Sequence, residues 1–241
     1  MSKILKGFAL SFSMLSIIPF FKIHDFYKGI NGYAVIFYPL VGFLLGLLLY
    51  ICYSILSPYI PHNHLVIIIF FLWVLITGAL HLDGFSDTID GFFVHKEKAL
   101  EVMKDSNTGG MAMIFSVSFL ILKASSLTYI DSMYLLPIIM MLSRLNASLA
   151  IYFYPYVSLS GMATLAKKEF TKKHMYITVF YTILFITFFD AWLLLLFSLL
   201  TLFFIKLFFI KRYGGFSGDI YGFCIEVTEL ILLNLLLVFG F

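Results

Sequence analysis

The sequence predicts an all-α fold, a polytopic transmembrane bundle of about seven spans with its polar site at the cytoplasmic side. Three observations predict it. The 241 residues are 62% hydrophobic and 12% charged, with a mean hydropathy of +1.02, far outside the range of a soluble domain. Apolar runs of nearly twenty residues recur along the chain. Lysine and arginine fall in alternate connections between those runs. No repeat, low-complexity tract or linker divides the sequence, so residues 1–241 read as one integral membrane domain.

Lys3 and Lys6 precede an apolar stretch over 7–21 that stops at Pro19, too short to span, so an interfacial or re-entrant segment is expected there. No small-residue cleavage site follows it, and the N-terminus is expected to be retained. Spans are expected near 33–57, 64–80, 111–130, 134–153, 176–189, 191–210 and 220–240. As one helix the run 176–210 would reach ~50 Å, too long for a ~30 Å hydrocarbon core, and Asp190 marks a reversal inside it.

The connections holding Lys3, Lys6, Lys22 and Lys28, then Lys96, Lys98 and Lys104, then Lys167, Lys168, Lys172 and Lys173, then Lys206, Lys211 and Arg212, alternate with connections that hold none. Positive charge therefore places the N-terminus and the polar stretches 81–110 and 154–175 in the cytoplasm, with Phe241 outside. Cys52 and Cys224 sit inside apolar runs without a CxxC spacing and read as small buried hydrophobes. The net charge of +3 is scattered, without the clustered basic and aromatic pattern that binds nucleic acid. GxSxG, HExxH and Walker A motifs are missing, which removes support for acyl hydrolysis, zinc proteolysis and P-loop nucleotide hydrolysis.

The segment His81-Leu82-Asp83-Gly84-Phe85-Ser86-Asp87-Thr88-Ile89-Asp90-Gly91 carries the strongest chemical signal. On a helix, Asp83, Asp87 and Asp90 stand at i, i+4 and i+7 and share a ~60° stripe. Three like charges so close call for a divalent cation, and all-oxygen ligands suit Mg²⁺ or Mn²⁺ better than zinc. For His81, the roles of general base, metal ligand and satisfied interfacial histidine all stay open. Lys104-Asp105-Ser106-Asn107-Thr108-Gly109-Gly110 adds another carboxylate and a flexible turn before a span, whose backbone N–H groups suit an anion. Asp219 reads equally as a helix cap. Glu226 and Glu229 are acids within an apolar run that need a cation or a wet cavity. Lys123 and Arg144 lie ~18 and ~14 Å deep in their spans, where they either pair with those glutamates or meet substrate phosphates. Together these groups suggest metal-assisted phosphoryl transfer.

The segments Phe37-Tyr38-Pro39-Leu40-Val41-Gly42, Gly78-Ala79-Leu80-His81-Leu82-Asp83-Gly84 with Asp87 and Asp90-Gly91, Met103-Lys104-Asp105-Ser106, Leu122-Lys123-Ala124, Ser143-Arg144 and Gly214-Gly215 through Gly218-Asp219, Gly222 and Glu229 resemble the cobalamin-5′-phosphate synthase family, whose activity is also called adenosylcobinamide-GDP ribazoletransferase. They follow that family's order across nearly the whole chain. The resemblance implies a late step of vitamin B12 assembly, in which adenosylcobinamide-GDP reacts with α-ribazole or its 5′-phosphate to give adenosylcobalamin or its 5′-phosphate and GMP, with Mg²⁺ or Mn²⁺. It implies catalytic roles among Asp83, Asp87, Asp90 and His81, metal ligation by Asp83, Asp87, Asp90, Asp219 and Glu229, and substrate contacts from Lys104, Asp105, Lys123, Arg144 and Gly218. It also implies a bacterial or archaeal cytoplasmic membrane, with the lipid bilayer around the chain and oligomeric assembly left open. Asn107, Thr108 and Ala112 depart from the family's pattern in the glycine loop.

Two other classes compete. A transferase of CDP-linked lipids would also string aspartates at helical spacing, but the later Gly-x-x-x-Asp-x-x-x-Asp run is missing. A transporter would place charge toward both faces, whereas here Asp131 and Asp190 are the far-side carboxylates and no inverted repeat is visible.

Overall fold

The computed structural model describes residues 3–18, 27–105, 107–158 and 162–239. These form helices α1 (Lys3–Leu15), α2 (Ile30–Ile36), α3 (Tyr38–Leu56), α4 (His62–Thr77), α5 (Leu80–Phe92), α6 (Lys96–Val102), α7 (Gly110–Thr128), α8 (Leu136–Phe153, entered by a 3₁₀ turn at Met133–Leu135), α9 (Met162–Glu169), α10 (Lys172–Phe188), α11 (Trp192–Tyr213) and α12 (Gly218–Phe239). Among the described residues the β structure is a single bridge, Tyr156 to Phe216.

Five of these segments are long and apolar enough to cross a membrane: α3, α7, Met133–Phe153 containing α8, α11 and α12. A sixth candidate is the pair α4 and α5, bent by 83°. The α10 helix has 17 residues and fills the place of another expected run. The seven expected runs thus map onto α3, α4, α7, α8, α10, α11 and α12, five of them at full spanning length. The reversal expected at Asp190 falls between α10 and α11, where Asp190 takes a left-handed backbone with φ 51°. Pro19 and the rest of 19–26 lie outside the described residues, and the preceding stretch forms α1, packed on α2 through Gly7.

The α8 helix is the hub, buried along almost its whole length. Gly42 and Gly46, four apart on α3, let that helix press onto it, since a Cβ at Gly46 would lie 2.6 Å from Pro137 Cα. The outer faces carry large apolar side chains such as Phe180, Phe203, Phe204 and Ile121, as lipid contact requires. The bundle's polar end gathers the C-termini of α4, α8 and α11 with the N-termini of α3, α7 and α12. Its cover includes α9, where Glu169 accepts hydrogen bonds from the backbone N and Nδ2 of Asn31 at 2.9 and 3.0 Å, tying α9 to the start of α2. Burial would raise the Glu169 carboxyl, but these bonds and those from the Gly29 and Gly32 backbone hold it below its ordinary value.

Candidate active site

Two consecutive left-handed residues, Gly78 (φ 60°) and Ala79 (φ 53°), end α4 and start α5 at 83° to it. Their N–H groups donate to the carbonyls of Leu75 and Val74, closing the α4 terminus. Left-handed backbone costs about 1–2 kcal/mol at a non-glycine residue, so the bend at Ala79 is held by what α5 gains on landing. That landing is on α12, where Gly84 meets Gly222. A Cβ at Gly84 would lie 2.9 Å from the Asp219 carbonyl oxygen, and one at Gly222 would lie 3.0 Å from that of His81. At the other end of α5, Arg212 Nη2 donates to the carbonyls of Gly91, Phe92 and Val94, and Tyr213 Oη to Gly91. These donors satisfy carbonyls that a helix end leaves free. The α5 helix therefore lies across the polar end, outside the five long spans.

The backbone contact at Gly84 and Gly222 brings the Asp83–Asp87 stripe alongside Asp219. Asp83 is exposed and Asp87 half-buried. Asp87 is pushed up to about 7, first by burial and then by the negative charges of Asp83, Asp219 and Asp90. Asp90 is turned to a different partner: its Oδ2 accepts the backbone N–H of Gly109 at 2.7 Å, capping α7 and holding the glycine loop against α5. Asp219, in the first turn of α12, accepts from Ser217 Oγ at 3.2 Å. Among the described residues none of these four carboxylates forms an ion pair. Nor do any three acidic, imidazole or thiol groups among them stand close enough to enclose a metal by themselves.

Lys104 and Asp105 are exposed, and Lys104 is near enough to act electrostatically on Asp219. Asp105 is engaged locally, accepting from Asn107 N and Nδ2 at 3.0 and 2.9 Å, which gives Asn107 a turn-forming role. Gly218 is the first residue of α12.

Deeper in the bundle, Lys123 Nζ donates to Glu226 Oε2 at 2.7 Å and Glu229 Oε2 at 2.5 Å and sits 4.3 Å over the Trp73 ring. Arg144 Nη1 pairs with Glu229 Oε1 and donates to Ser143 Oγ at 2.8 Å. Of the alternatives open from sequence, Lys123 and Arg144 adopt pairing with glutamates. The layer balances two cations against two anions, as burial demands. Glu229 stands in this layer, both oxygens engaged, rather than with Asp83, Asp87 and Asp219.

Beside Asp219 opens a cavity of about 480 Å³, with Lys104, Ser217 and Asp219 on its polar side and Tyr38, Tyr156 and Tyr221 among its aromatic walls. His81 also lines it, buried, with Nε2 lacking a hydrogen-bond partner among the described residues. Burial first, then the charges of Arg144 and Lys123, hold this imidazole well below its ordinary value, and so neutral. The three tyrosines carry no motif spacing. They come from α3, the segment after α8 and α12, and the one local sign is that Tyr38 and Tyr221 neighbour Pro39 and Gly222 in segments already conspicuous for other residues.

The sequence model of the cobalamin-5-phosphate synthase family matches residues 7–237. A protein of Acinetobacter baumannii (strain ACICU) named adenosylcobinamide-GDP ribazoletransferase is 32% identical over 213 residues, covering 84% of this chain and 85% of the relative. Relatives of the same name in Clostridioides difficile (strain 630) and Pseudomonas putida (strain F1) are 33% and 32% identical, covering 87% and 83% of this chain and 86% and 85% of theirs. No solved structure matches. A family match over nearly the whole chain, together with relatives that align over more than four-fifths of both chains, assigns this chain to the cobalamin-5-phosphate synthase family.

Proposed function

We propose that this chain, a transferase of cobalamin synthesis by family, moves the adenosylcobinamide-phosphate group of adenosylcobinamide-GDP to α-ribazole or its 5′-phosphate. A ribazole hydroxyl oxygen forms a bond to the phosphorus attached to cobinamide, the phosphoanhydride bond to GMP breaks, and the hydroxyl proton leaves to a base. The observation that carries this reading is that Asp83, Asp87 and Asp219 come near enough to act on one another's charge where α5 crosses α12 at Gly84 and Gly222, with Asp219 and Lys104 also lining a cavity.

The donor set fits Mg²⁺, or Mn²⁺ as the alternative. Among the described residues its carboxylates form no ion pair, and magnesium is typically held by one or two carboxylates while water and substrate phosphate complete its shell. One or two of Asp83, Asp87 and Asp219 would hold it directly and the remainder through its water shell, and when bound it would offset diphosphate charge and stabilise the departing GMP. Asp90 fixes the loop through Gly109, and Lys104 beside it meets phosphate as a mobile cation. His81, with Nε2 lacking a hydrogen-bond partner among the described residues, is placed to accept a hydrogen bond from the acceptor hydroxyl and orient it; its lowered basicity leaves removal of the proton to a carboxylate. Lys123 and Arg144 act from beneath by fixing α7, α8 and α12 relative to one another.

The basic residues Lys104, Lys167, Lys168, Lys172, Lys173, Lys211 and Arg212 cluster toward the polar end, which supports a cytoplasmic-membrane protein whose site faces the cytoplasm, in a bilayer. The test is turnover in membranes carrying the chain, supplied with adenosylcobinamide-GDP and ribazole or ribazole phosphate. Equimolar cobalamin product and GMP are expected with Mg²⁺. No product with either acceptor, in Mg²⁺ or Mn²⁺, would overturn the assignment.

A further inference from the structure

The two substrates of the proposed transfer differ greatly in bulk: one carries a corrin macrocycle with its amide side chains, the other an aromatic heterocycle on ribose. The cavity of about 480 Å³ is within the range of small-molecule sites and far too small for the corrin. Its walls suit a flat ring. Tyr156 and Tyr221 lie within 15° of parallel with centroids 6.1 Å apart, and Phe216 backs Tyr221 at 22° and 5.7 Å. Ala147, Ala163 and Ala166 line the same cavity with small side chains.

The polar inventory narrows the ring further. Apart from Asp219 and Lys104, its lining among the described residues sets Met14, Leu15, Ile151 and Ile225 beside the hydroxyls of Ser158 and Ser217 and the His81 ring, and holds no further carboxylate or amide side chain of the kind a guanine edge requires. Tyr221 is nine-tenths buried, yet its Oη has no hydrogen-bond partner among the described residues. A buried hydroxyl left so needs a ligand or water to complete it. A benzimidazole-type base has one free ring nitrogen, an acceptor, and is otherwise apolar.

Resting on the transfer reading, we propose that this cavity is the acceptor pocket, that it seats the aromatic base of ribazole against Tyr221 and Tyr156, and that Tyr221 Oη–H donates to the base's free ring nitrogen. The ribose then lies toward Asp219 and His81, with its hydroxyl at the carboxylate site. Tyr221 and Ala147 thereby set which base is accepted, while the corrin stays outside the cavity.

The experiment is calorimetric titration of the full-length protein in nanodiscs with α-ribazole alone, without the donor. Binding to the wild-type chain is expected, weakened about tenfold in Tyr221→Phe by loss of one hydrogen bond. Ala147→Phe should abolish it while the melting temperature and adenosylcobinamide-GDP binding hold, and GMP should not compete. Ribazole binding unchanged in Tyr221→Phe, or loss of GMP or donor affinity in its place, would overturn the pocket assignment. Should Ala147→Phe fail to fold, Tyr221→Phe decides alone. Ribazole binding without turnover would sink the transfer reading and leave the pocket standing; turnover with an unaltered acceptor KM in both variants would do the reverse.

Discussion

Asp87 is where burial and like charge act together, and its raised carboxyl, at about 7, means that a proton competes for the place a metal would take. Raised in the folded state, this carboxyl costs stability that grows from the ordinary carboxylate range up to about 7 and is fully present above it, where Asp87 must ionise among Asp83, Asp90 and Asp219. A divalent cation relieves that repulsion, so its binding releases the proton. The Mg²⁺ concentration for half-maximal GMP release should therefore fall about tenfold from pH 6 to pH 8, as the ionised fraction rises. A pH-independent requirement would remove Asp87 from the metal site. Glu229 tests the deeper layer. Glu229→Gln leaves Lys123 and Arg144 short of an anion in a dry interior and should cost about 3–5 kcal/mol in unfolding measurements. The double variant Arg144→Met Glu229→Gln, which restores neutrality with Lys123 on Glu226, should recover part of that loss.

At the scale of elements, the site depends on α5 landing on α12 through two glycines. Gly84→Ala puts a methyl against the Asp219 backbone, which cannot yield as a flexible side chain can. Displacing α5 by even about 1 Å should lower kcat roughly 100-fold, with the protein still folded and with a smaller effect on KM. Wild-type kcat in Gly84→Ala would show that the crossing does not set the geometry. The helices themselves were legible in the sequence, because apolar length and a midway Asp190 are local signals. The helical stripe of Asp83, Asp87 and Asp90 was legible too, since periodicity alone produces it. The 83° turn was not: it rests on Ala79, whose residue type argues against left-handed backbone and which tertiary contact holds there. For the same reason the tie from Asp90 Oδ2 to the glycine loop was hidden. Its partner Gly109 is 19 residues away and arrives only when the loop folds back.

For the whole molecule, the family, the membrane character and the polar end could be read from composition, charge alternation and ordered motifs. Which charges meet could not. Lys123 finds Glu226 and Glu229 across more than a hundred residues, and that pairing depends on the rotation of α7, α8 and α12 about their axes. The aromatic cavity likewise joins Tyr38, Tyr156 and Tyr221 from separate elements. The architecture that results combines lipid-facing apolar helices, a neutral ion-pair layer that ties α7, α8 and α12 together, and a polar end where Asp219 borders the cavity and the carboxylates form no ion pair among the described residues. The central claim is that Asp83, Asp87 and Asp219 form the metal and diphosphate site. The most direct measurement is a Mg²⁺ titration of GMP release by the wild-type chain, Asp83→Asn and Asp219→Asn, each shown to be folded by its melting temperature. Both variants should lose more than about 100-fold in kcat/KM, beyond the 10–100-fold that outer-shell losses cost, and require far more Mg²⁺. Wild-type Mg²⁺ dependence in either folded variant would contradict the account.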